Sequence, residues 1–172
     1  MHDVDTILDD LISRSSCLVS PPAGVPKLSG GLELPSDLQR FYERCGGLVV
    51  NKDGECGSWA RIVSPDEFQR IDATIMGGEM FASGPFQHWY AIVDVQDGNY
   101  LAIDVGREHN GKCLDCFRET FAMPGYVSVI ASSFSDLLIR LRDHKEDSAF
   151  WLQDDFSSLG EGFELYGIKP LA

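Results

Sequence analysis

One stretch of the sequence, residues 34–47, predicts the fold: Leu34-Pro35-Ser36-Asp37-Leu38-Gln39-Arg40-Phe41-Tyr42-Glu43-Arg44-Cys45-Gly46-Gly47. Its apolar residues share one face of a helix, because they follow each other at intervals of four, three, one and three: Leu34, Leu38, Phe41, Tyr42 and Cys45. Pro35 fits the first helical turn, and Asp37 suits the positive end of the helix dipole. Gly46 and Gly47 end the helix by accepting the left-handed conformation. Since the apolar run Leu48-Val49-Val50 follows at once, the stretch predicts a capped helix that leads directly into a strand.

Three further segments carry helix signals. The first helix begins after Asp3, its N-cap, and ends near Ser15-Ser16. Another begins at Ser64-Pro65-Asp66-Glu67, where Ser64 and Glu67 form a capping box. The last begins after Ser133 and has an apolar stripe to bury: Phe134, Leu137, Leu138 and Leu141.

The clearest β signal is a hairpin. Two β-rich runs, residues 89–95 and 100–105, flank the turn Gln96-Asp97-Gly98-Asn99. Shorter strands are predicted at 48–50, 59–63, 114–121 and 126–131, and the second of these begins with Trp59. Turns or loops are predicted at 20–31, 51–57 and 73–87.

The bulk composition indicates one cytoplasmic domain, or one domain with a tail. The chain has 172 residues, of which 44% are apolar, enough for a substantial core. No apolar run approaches the ~20 residues that span a bilayer. The acidic start, Met1-His2-Asp3, lacks the features of a signal peptide. Five cysteines, an odd number, indicate free thiols in a reducing compartment.

The charge of the chain constrains its partners. Fourteen Lys and Arg residues stand against 27 Asp and Glu residues, a net charge of −13. Direct binding of nucleic acid is disfavoured, because phosphates are held by clustered Lys and Arg. A basic protein would be attracted by such a field. The alternative interpretation is that the acidity only keeps the protein soluble.

Two motifs resemble a known family, the SUKH superfamily. The Leu-Pro helix with its terminal Gly-Gly is similar to the opening signature of that superfamily, and the segment 129–138, an apolar strand that runs into a Ser-Phe helix, is similar to the closing one. The order of elements matches over residues 1–142. The resemblance implies an α+β fold with a mixed, mainly antiparallel sheet packed by helices. Members include fungal Smi/Knr cell-wall regulators and bacterial immunity proteins that neutralise toxin domains, often nucleases or deaminases.

The chain is accordingly divided at residue 144. Residues 1–144 form the SUKH-like domain, and residues 145–172 form a C-terminal extension outside the resemblance. Between residues 145 and 164 the extension has six acids and one base, Lys145: Glu146, Asp147, Asp154, Asp155, Glu161 and Glu164. Because Phe150, Trp151, Leu152 and Phe156 lie among these charges, we expect the extension to dock on the domain.

No enzyme, metal or cofactor site is predicted. Cys113 and Cys116 form a CxxC with His109 nearby, but structural zinc needs four ligands, usually as two close pairs, and Cys45 and Cys56 are far apart in the sequence. A redox CxxC belongs at the start of a helix, whereas this one lies in a predicted strand. The remaining histidines are scattered, and no nucleophile motif accompanies them.

These observations predict a protein-binding function. An acidic surface is expected to occlude the basic face of a toxin domain such as a nuclease, without catalysis. The candidate contact acids lie around the hairpin and in the turn at 51–57: Asp94, Asp97, Asp104, Glu108, Asp115 and Glu119, with Asp53 and Glu55. The resemblance leaves a second possibility, a regulatory or scaffold module of the Smi/Knr type that binds a host protein.

Overall fold

A computed structural model describes residues 3–50, 60–144 and 149–170. Its strands form one antiparallel sheet in sequence order: β1 (Leu18–Val19), β2 (Leu48–Val50), β3 (Ala60–Ile62), β4 (Trp89–Asp94), β5 (Tyr100–Asp104), β6 (Cys113–Cys116) and β7 (Val129–Ala131). The α-helices are α1 (Val4–Ser13), α2 (Ser36–Arg44), α3 (Ile71–Met76) and α4 (Phe134–Asp143). Short 3₁₀ helices cover Pro85–Gln87, Phe150–Leu152 and Glu164–Tyr166. The predicted α+β class is confirmed. Within the described ranges, no helix is long and apolar enough to cross a membrane.

The sheet separates two hydrophobic cores. Helices α1, α2 and α4 cover one face, and we call the core beneath them the helix-side core. Trp89, Phe86 and Phe163 lie in the core on the other face, which we call the Trp89 core. Successive side chains of a strand point to opposite faces, so Cys113 lies in the first core and Leu114 in the second. The central strands are therefore buried on both sides.

Helix α2 packs as its spacing predicts. Phe41 and Tyr42 are fully buried, and the Phe41 ring meets the Phe134 ring of α4 edge to face at 5.2 Å. The Tyr42 hydroxyl donates to the carbonyl oxygen of Val63 at 3.1 Å. Asp37 accepts a hydrogen bond from the backbone N–H of Ser135 at 2.8 Å, and so joins α2 to the start of α4. The helix therefore connects the sheet and the neighbouring helix.

The ends of α2 differ from the prediction. Pro35 is the N-cap, and Cys45, which closes the helix, is extended rather than left-handed. The two glycines are instead required by close packing. Gly46 lies against the carbonyl oxygen of Pro21, where a Cβ would clash, and Gly47 has φ 144°, with the carbonyl oxygen of Ile62 3.1 Å from the position of a Cβ.

The segment between β3 and β4 corrects a second prediction. No helix starts at Ser64. Glu67 accepts from the Ser64 N–H at 3.0 Å, as in a capping box, but residues 65–67 make only a turn. The chain then returns to β4, where the Ala91 N–H donates to Gln69. Helix α3 begins at Ile71, two residues before the predicted loop at 73–87, and runs into it. The Asp72 carboxylate accepts hydrogen bonds from the N–H groups of Met80 and Phe81 and so folds the chain back on itself.

Two predicted strands are shorter than expected. The strand at 114–121 is only Cys113–Cys116, and the strand at 126–131 is only Val129–Ala131. Between them the chain turns repeatedly, since the N–H groups of Thr120 and Phe121 both donate to Phe117. Three predicted features lie outside the described residues: the turn at 51–57, Trp59 at the start of the predicted strand 59–63, and the start of the C-terminal extension at 145–148.

The C-terminal segment passes around the β7 edge of the sheet. Phe150 and Trp151 are buried in the helix-side core. The chain then runs along β7, where Val129 exchanges backbone hydrogen bonds with Leu159 and Gly160 at 2.9 Å. Beyond this edge, Phe163 enters the Trp89 core. The segment thus contributes to both cores and covers a strand whose backbone groups would otherwise be open to pairing.

A hydrogen bond from Trp151 to Asp115 holds this segment to β6. Indole has only a donor, so the Asp115 carboxylate is the acceptor. Burial raises the pKa of Asp115 to about 6, although the hydrogen bond from Trp151 favours the ionised form. Because the folded pKa exceeds the ordinary value of 3.8, ionisation of Asp115 weakens the folded state.

We predict that Phe41→Ala lowers the free energy of unfolding by ~3–5 kcal/mol, since the ring is buried and its removal leaves a cavity. Urea unfolding measures the loss. Ile12→Ala on the neighbouring helix is the control, because Ile12 is 43% exposed. A loss below about 1 kcal/mol for Phe41→Ala would contradict the packing described above.

We predict that Asp115→Asn stabilises the protein at pH 7 by on the order of 1–3 kcal/mol. The difference should shrink as the pH falls through about 6 and vanish below about 4, where Asp115 is protonated in both the folded and the unfolded chain. Unfolding of both proteins across this pH range checks the sign. Asp97→Asn, at an exposed acid, is the control, and a destabilising Asp115→Asn at pH 7 would contradict the prediction.

Candidate functional site

The predicted contact acids do not form one patch. Asp94, Asp97 and Glu119 lie at one end of the sheet, where the Arg118 N–H donates to the Asn99 side chain at 3.0 Å. Glu108 follows β5 and lies at the opposite end. The five residues of β5 separate these ends by about 16 Å. Asp53 and Glu55 lie outside the described residues.

The acids at the Asp97 end differ in their surroundings. Arg61 contacts Asp94 at 3.1 Å and Glu67 at 2.7 Å, so both carboxylates are partly neutralised. The hydrogen bonds from Arg61 lower the pKa of Glu67 to about 2. Asp97 and Glu119 are exposed, and Asp97 has a left-handed backbone with φ 54°. A partner could reach these two acids directly.

Two of the predicted acids, Asp104 and Asp115, are less exposed than Asp97 and Glu119. Asp115 is covered by Trp151. Asp104 is fully buried in the structure, so the prediction that it offers an exposed contact is wrong. The physical reason is the alternation of β5, which turns Asp104 towards the Trp89 core, as it does Ala102.

The buried Asp104 carboxylate is held by three donors from different parts of the chain. The Tyr166 hydroxyl donates to it at 2.8 Å, the Trp89 indole N–H at 3.1 Å and the Gly106 N–H at 2.8 Å. Burial raises the pKa of Asp104, and the three hydrogen bonds act in the opposite direction. The pKa of Tyr166 is raised by burial and by the charge of Asp104, so Tyr166 stays the donor. This arrangement ties the C-terminal segment to the hairpin.

Gly106 is needed beside this carboxylate. A Cβ there would lie 2.8 Å from the Tyr166 hydroxyl oxygen and 2.9 Å from an Asp104 oxygen, closer than side chains pack. Only glycine lets the chain turn sharply after β5 while its N–H still reaches Asp104.

A cavity of about 540 Å³ opens in front of this network. The His88 ring is parallel to the Tyr166 ring at 5.7 Å, and the His109 ring meets Tyr166 at 5.0 Å with an angle of 66°. Arg107 and Glu108 are also part of the lining, and the rest of the wall comes from residues 30–32, Gly106 and Leu165. His88 Nδ1 is buried and has no hydrogen-bond partner among the described residues. We call this the His88–Tyr166 pocket.

The sequence held little signal for this pocket. His88 and His109 belong to no recognisable motif in the sequence, and Tyr166 lies 62 positions from Asp104 in the chain. Only the β alternation that places Asp104 inside could have indicated it. The pocket has the size of a ligand site. Its rings and Glu108 suit the binding of a positively charged group. A catalytic role for Asp104 is disfavoured, because its carboxylate is already occupied by three hydrogen-bond donors.

The two cysteines of the CxxC motif do not come together in one site. Cys113 is in the helix-side core and Cys116 in the Trp89 core, so the two thiols point to opposite faces. Burial raises the pKa of both thiols well above the ordinary value. The described residues contain no group of three or more His, Cys, Asp or Glu side chains that could hold a metal ion.

Comparisons with known proteins place the chain in a family. The chain is 34% identical to "Immunity protein YokJ" of Bacillus subtilis (strain 168) over 161 residues, which cover 94% of this chain and 96% of that protein. No solved structure gives a significant match. The model of the SMI1 / KNR4 family (SUKH-1) matches residues 27–140, which include α2, both strands of the hairpin and most of α4. Since this match covers more than half of the chain and agrees with the resemblance of the two motifs, the chain belongs to the SMI1 / KNR4 family (SUKH-1).

Proposed function

We propose that this protein is an immunity protein, which binds a toxin domain in the cytoplasm and blocks the active face of the toxin without catalysis. One observation carries the proposal: the 34% identity to a protein named as an immunity protein extends over nearly the full length of both chains. An identity of this extent includes the C-terminal segment as well as the residues matched by the family model.

The distribution of charge supports a basic partner. Among the described residues, seven arginines are held in ion pairs by acids of the chain itself: Arg14, Arg40, Arg44, Arg61, Arg70, Arg140 and Arg142. These contacts neutralise much of the positive charge and leave the acidic excess to act on the surroundings. Asp97, Glu108 and Glu119 are exposed members of that excess. Nuclease toxins fit such a surface, because a face that binds phosphates is basic.

The contact acids are part of the proposal. Asp97, Glu108 and Glu119 are the accessible candidates. Asp94 is a weaker candidate, because its charge is partly neutralised by the ion pair with Arg61. Asp53 and Glu55 remain candidates from the sequence alone. The two ends of the sheet can be tested separately, because one exposed acid lies at one end and two lie at the other.

Co-expression with the product of the adjacent gene tests the function. Toxicity of that product should be lost when this protein is present, and the two proteins should co-purify. An adjacent gene product that is harmless and does not bind would contradict an immunity function. Binding to a host protein instead would favour the second possibility, a regulatory or scaffold module of the Smi/Knr type.

We predict that rising salt slows association with the toxin, since the Debye length falls from ~10 Å at 0.1 M to ~3 Å at 1 M. Reversal of the contact acids to Lys, as Asp97→Lys with Glu119→Lys or as Glu108→Lys alone, should slow association more than it speeds dissociation. Surface-based kinetics at several salt concentrations measure both rates. If neither salt nor any of the three substitutions changes the association rate, the acidic surface does not take part in binding and serves only to keep the protein soluble.

A further inference from the structure

We infer that the His88–Tyr166 pocket receives an arginine side chain of the protein partner, with the guanidinium group against the aromatic rings and near Glu108. This inference rests on the proposed function, because it assigns a contact for the same basic partner. Pockets that bury one anchoring side chain provide much of the energy of protein interfaces, and arginine is prominent among such anchors.

The rings of the pocket suit a cation. The ring centroids of His88 and His109 lie 5.7 Å and 5.0 Å from the ring centroid of Tyr166. A cation is attracted to the electron-rich face of a tyrosine ring, and a planar guanidinium group also stacks on aromatic faces. Tyr166 donates its hydroxyl proton to the Asp104 carboxylate at 2.8 Å, and this polarises the ring further in the same direction.

The charges around the pocket also favour a cation over an anion. Glu108 is part of the lining, and its charge is close enough to contribute to the raised pKa of Tyr166. Asp104 lies directly behind the tyrosine hydroxyl. Arg107 is the opposing charge, but it is exposed and can turn towards solvent. The net charge of −13 steers anions away from the whole molecule.

Arginine fits this pocket better than lysine. A guanidinium group is planar and more weakly hydrated than an ammonium group, so it stacks on rings at a smaller desolvation cost and can still donate to a carboxylate such as Glu108. The cavity of about 540 Å³ lies within the usual ~300–1,000 Å³ of ligand sites, so one long side chain fits with room for water.

Peptide titration followed by NMR tests the pocket without the toxin. Three probes differ at one residue: acetyl-Gly-Arg-Gly-amide, the same peptide with neutral citrulline, and the same peptide with glutamate. The arginine peptide should shift the ring signals of His88, His109 and Tyr166 saturably, and the citrulline peptide should bind more weakly. A response to the glutamate peptide alone, or to none of the three, would overturn the inference.

Matched variants test whether the charged residues of the pocket, Glu108 and Arg107, affect binding of the arginine peptide. Glu108→Gln should weaken binding of the arginine peptide by up to about fivefold, the usual range for an exposed charge pair. Glu119→Gln, the same change at the other end of the sheet, should leave it unchanged. Arg107→Gln should strengthen it, because an opposing charge is removed. Equal effects of Glu108→Gln and Glu119→Gln would contradict a local site.

Kinetics with the toxin then separate this inference from the proposed function. Glu108→Gln should speed dissociation of the complex more than Glu119→Gln does, because only Glu108 lines the pocket. If the toxin is neutralised normally by Glu108→Gln and by His109→Ala, the immunity function stands and the arginine pocket is wrong. If the adjacent gene product does not bind at all, the proposed function fails, while the peptide titration still decides whether the pocket binds arginine.

Discussion

The burial of the central hairpin on both faces is the constraint on which the rest of the structure depends. Ala91 and Ile92 are consecutive residues of β4, and both are fully buried although Ala91 lies in the Trp89 core and Ile92 in the helix-side core. Each face therefore needs its own cover. Helices α1, α2 and α4 provide one layer, and α2 and α4 are joined by the Phe41–Phe134 ring contact. Among the described residues, the other face is covered by the short α3, 3₁₀ helices, loops and the end of the chain.

This uneven cover explains the course of the C-terminal segment. Phe150 and Trp151 close the helix-side core, and Phe163 closes the other, so the segment must pass around the β7 edge between them. Tyr166 then reaches back to Asp104. Two carboxylates mark this course: the half-buried Asp115 accepts a hydrogen bond from Trp151, and the buried Asp104 accepts one from Tyr166. The segment outside the recognised family motifs is thus a structural part of both cores.

The same arrangement creates the pocket that we assign to a partner. Loops and a 3₁₀ helix pack less evenly than long helices, and they leave a cavity between the hairpin end and the last residues. Tyr166 lines the cavity and is bonded to the buried Asp104, and Glu108 is part of the lining, so the cavity combines aromatic rings with negative charge. An acidic protein that must hold a basic toxin gains specificity from such a place, since long-range attraction speeds encounter but does not by itself select one orientation.

The sequence by itself determined the elements whose signals are local. The apolar stripe of α2, the Asp-Gly turn of the hairpin and the Ser133 cap of α4 each depend on residues within a few positions, and the structure contains all three. The family could be recognised from the order of these elements. Two predicted capping motifs, at Gly46 and at Ser64, were wrong because contacts with distant parts of the chain replace them. The Pro21 carbonyl oxygen packs against Gly46 and leaves no room for a side chain there. After Glu67 the chain hydrogen-bonds to β4 instead of continuing as a helix.

Only the tertiary structure decided which acids are accessible and where a pocket lies. Asp97 and Asp104 are seven positions apart and both acidic, yet one lies at an exposed turn and the other in a core. The difference arises because Tyr166 and Trp89 meet Asp104 from positions far away in the sequence. Local propensity carries no information about such meetings. They follow from how the whole chain buries both faces of one sheet.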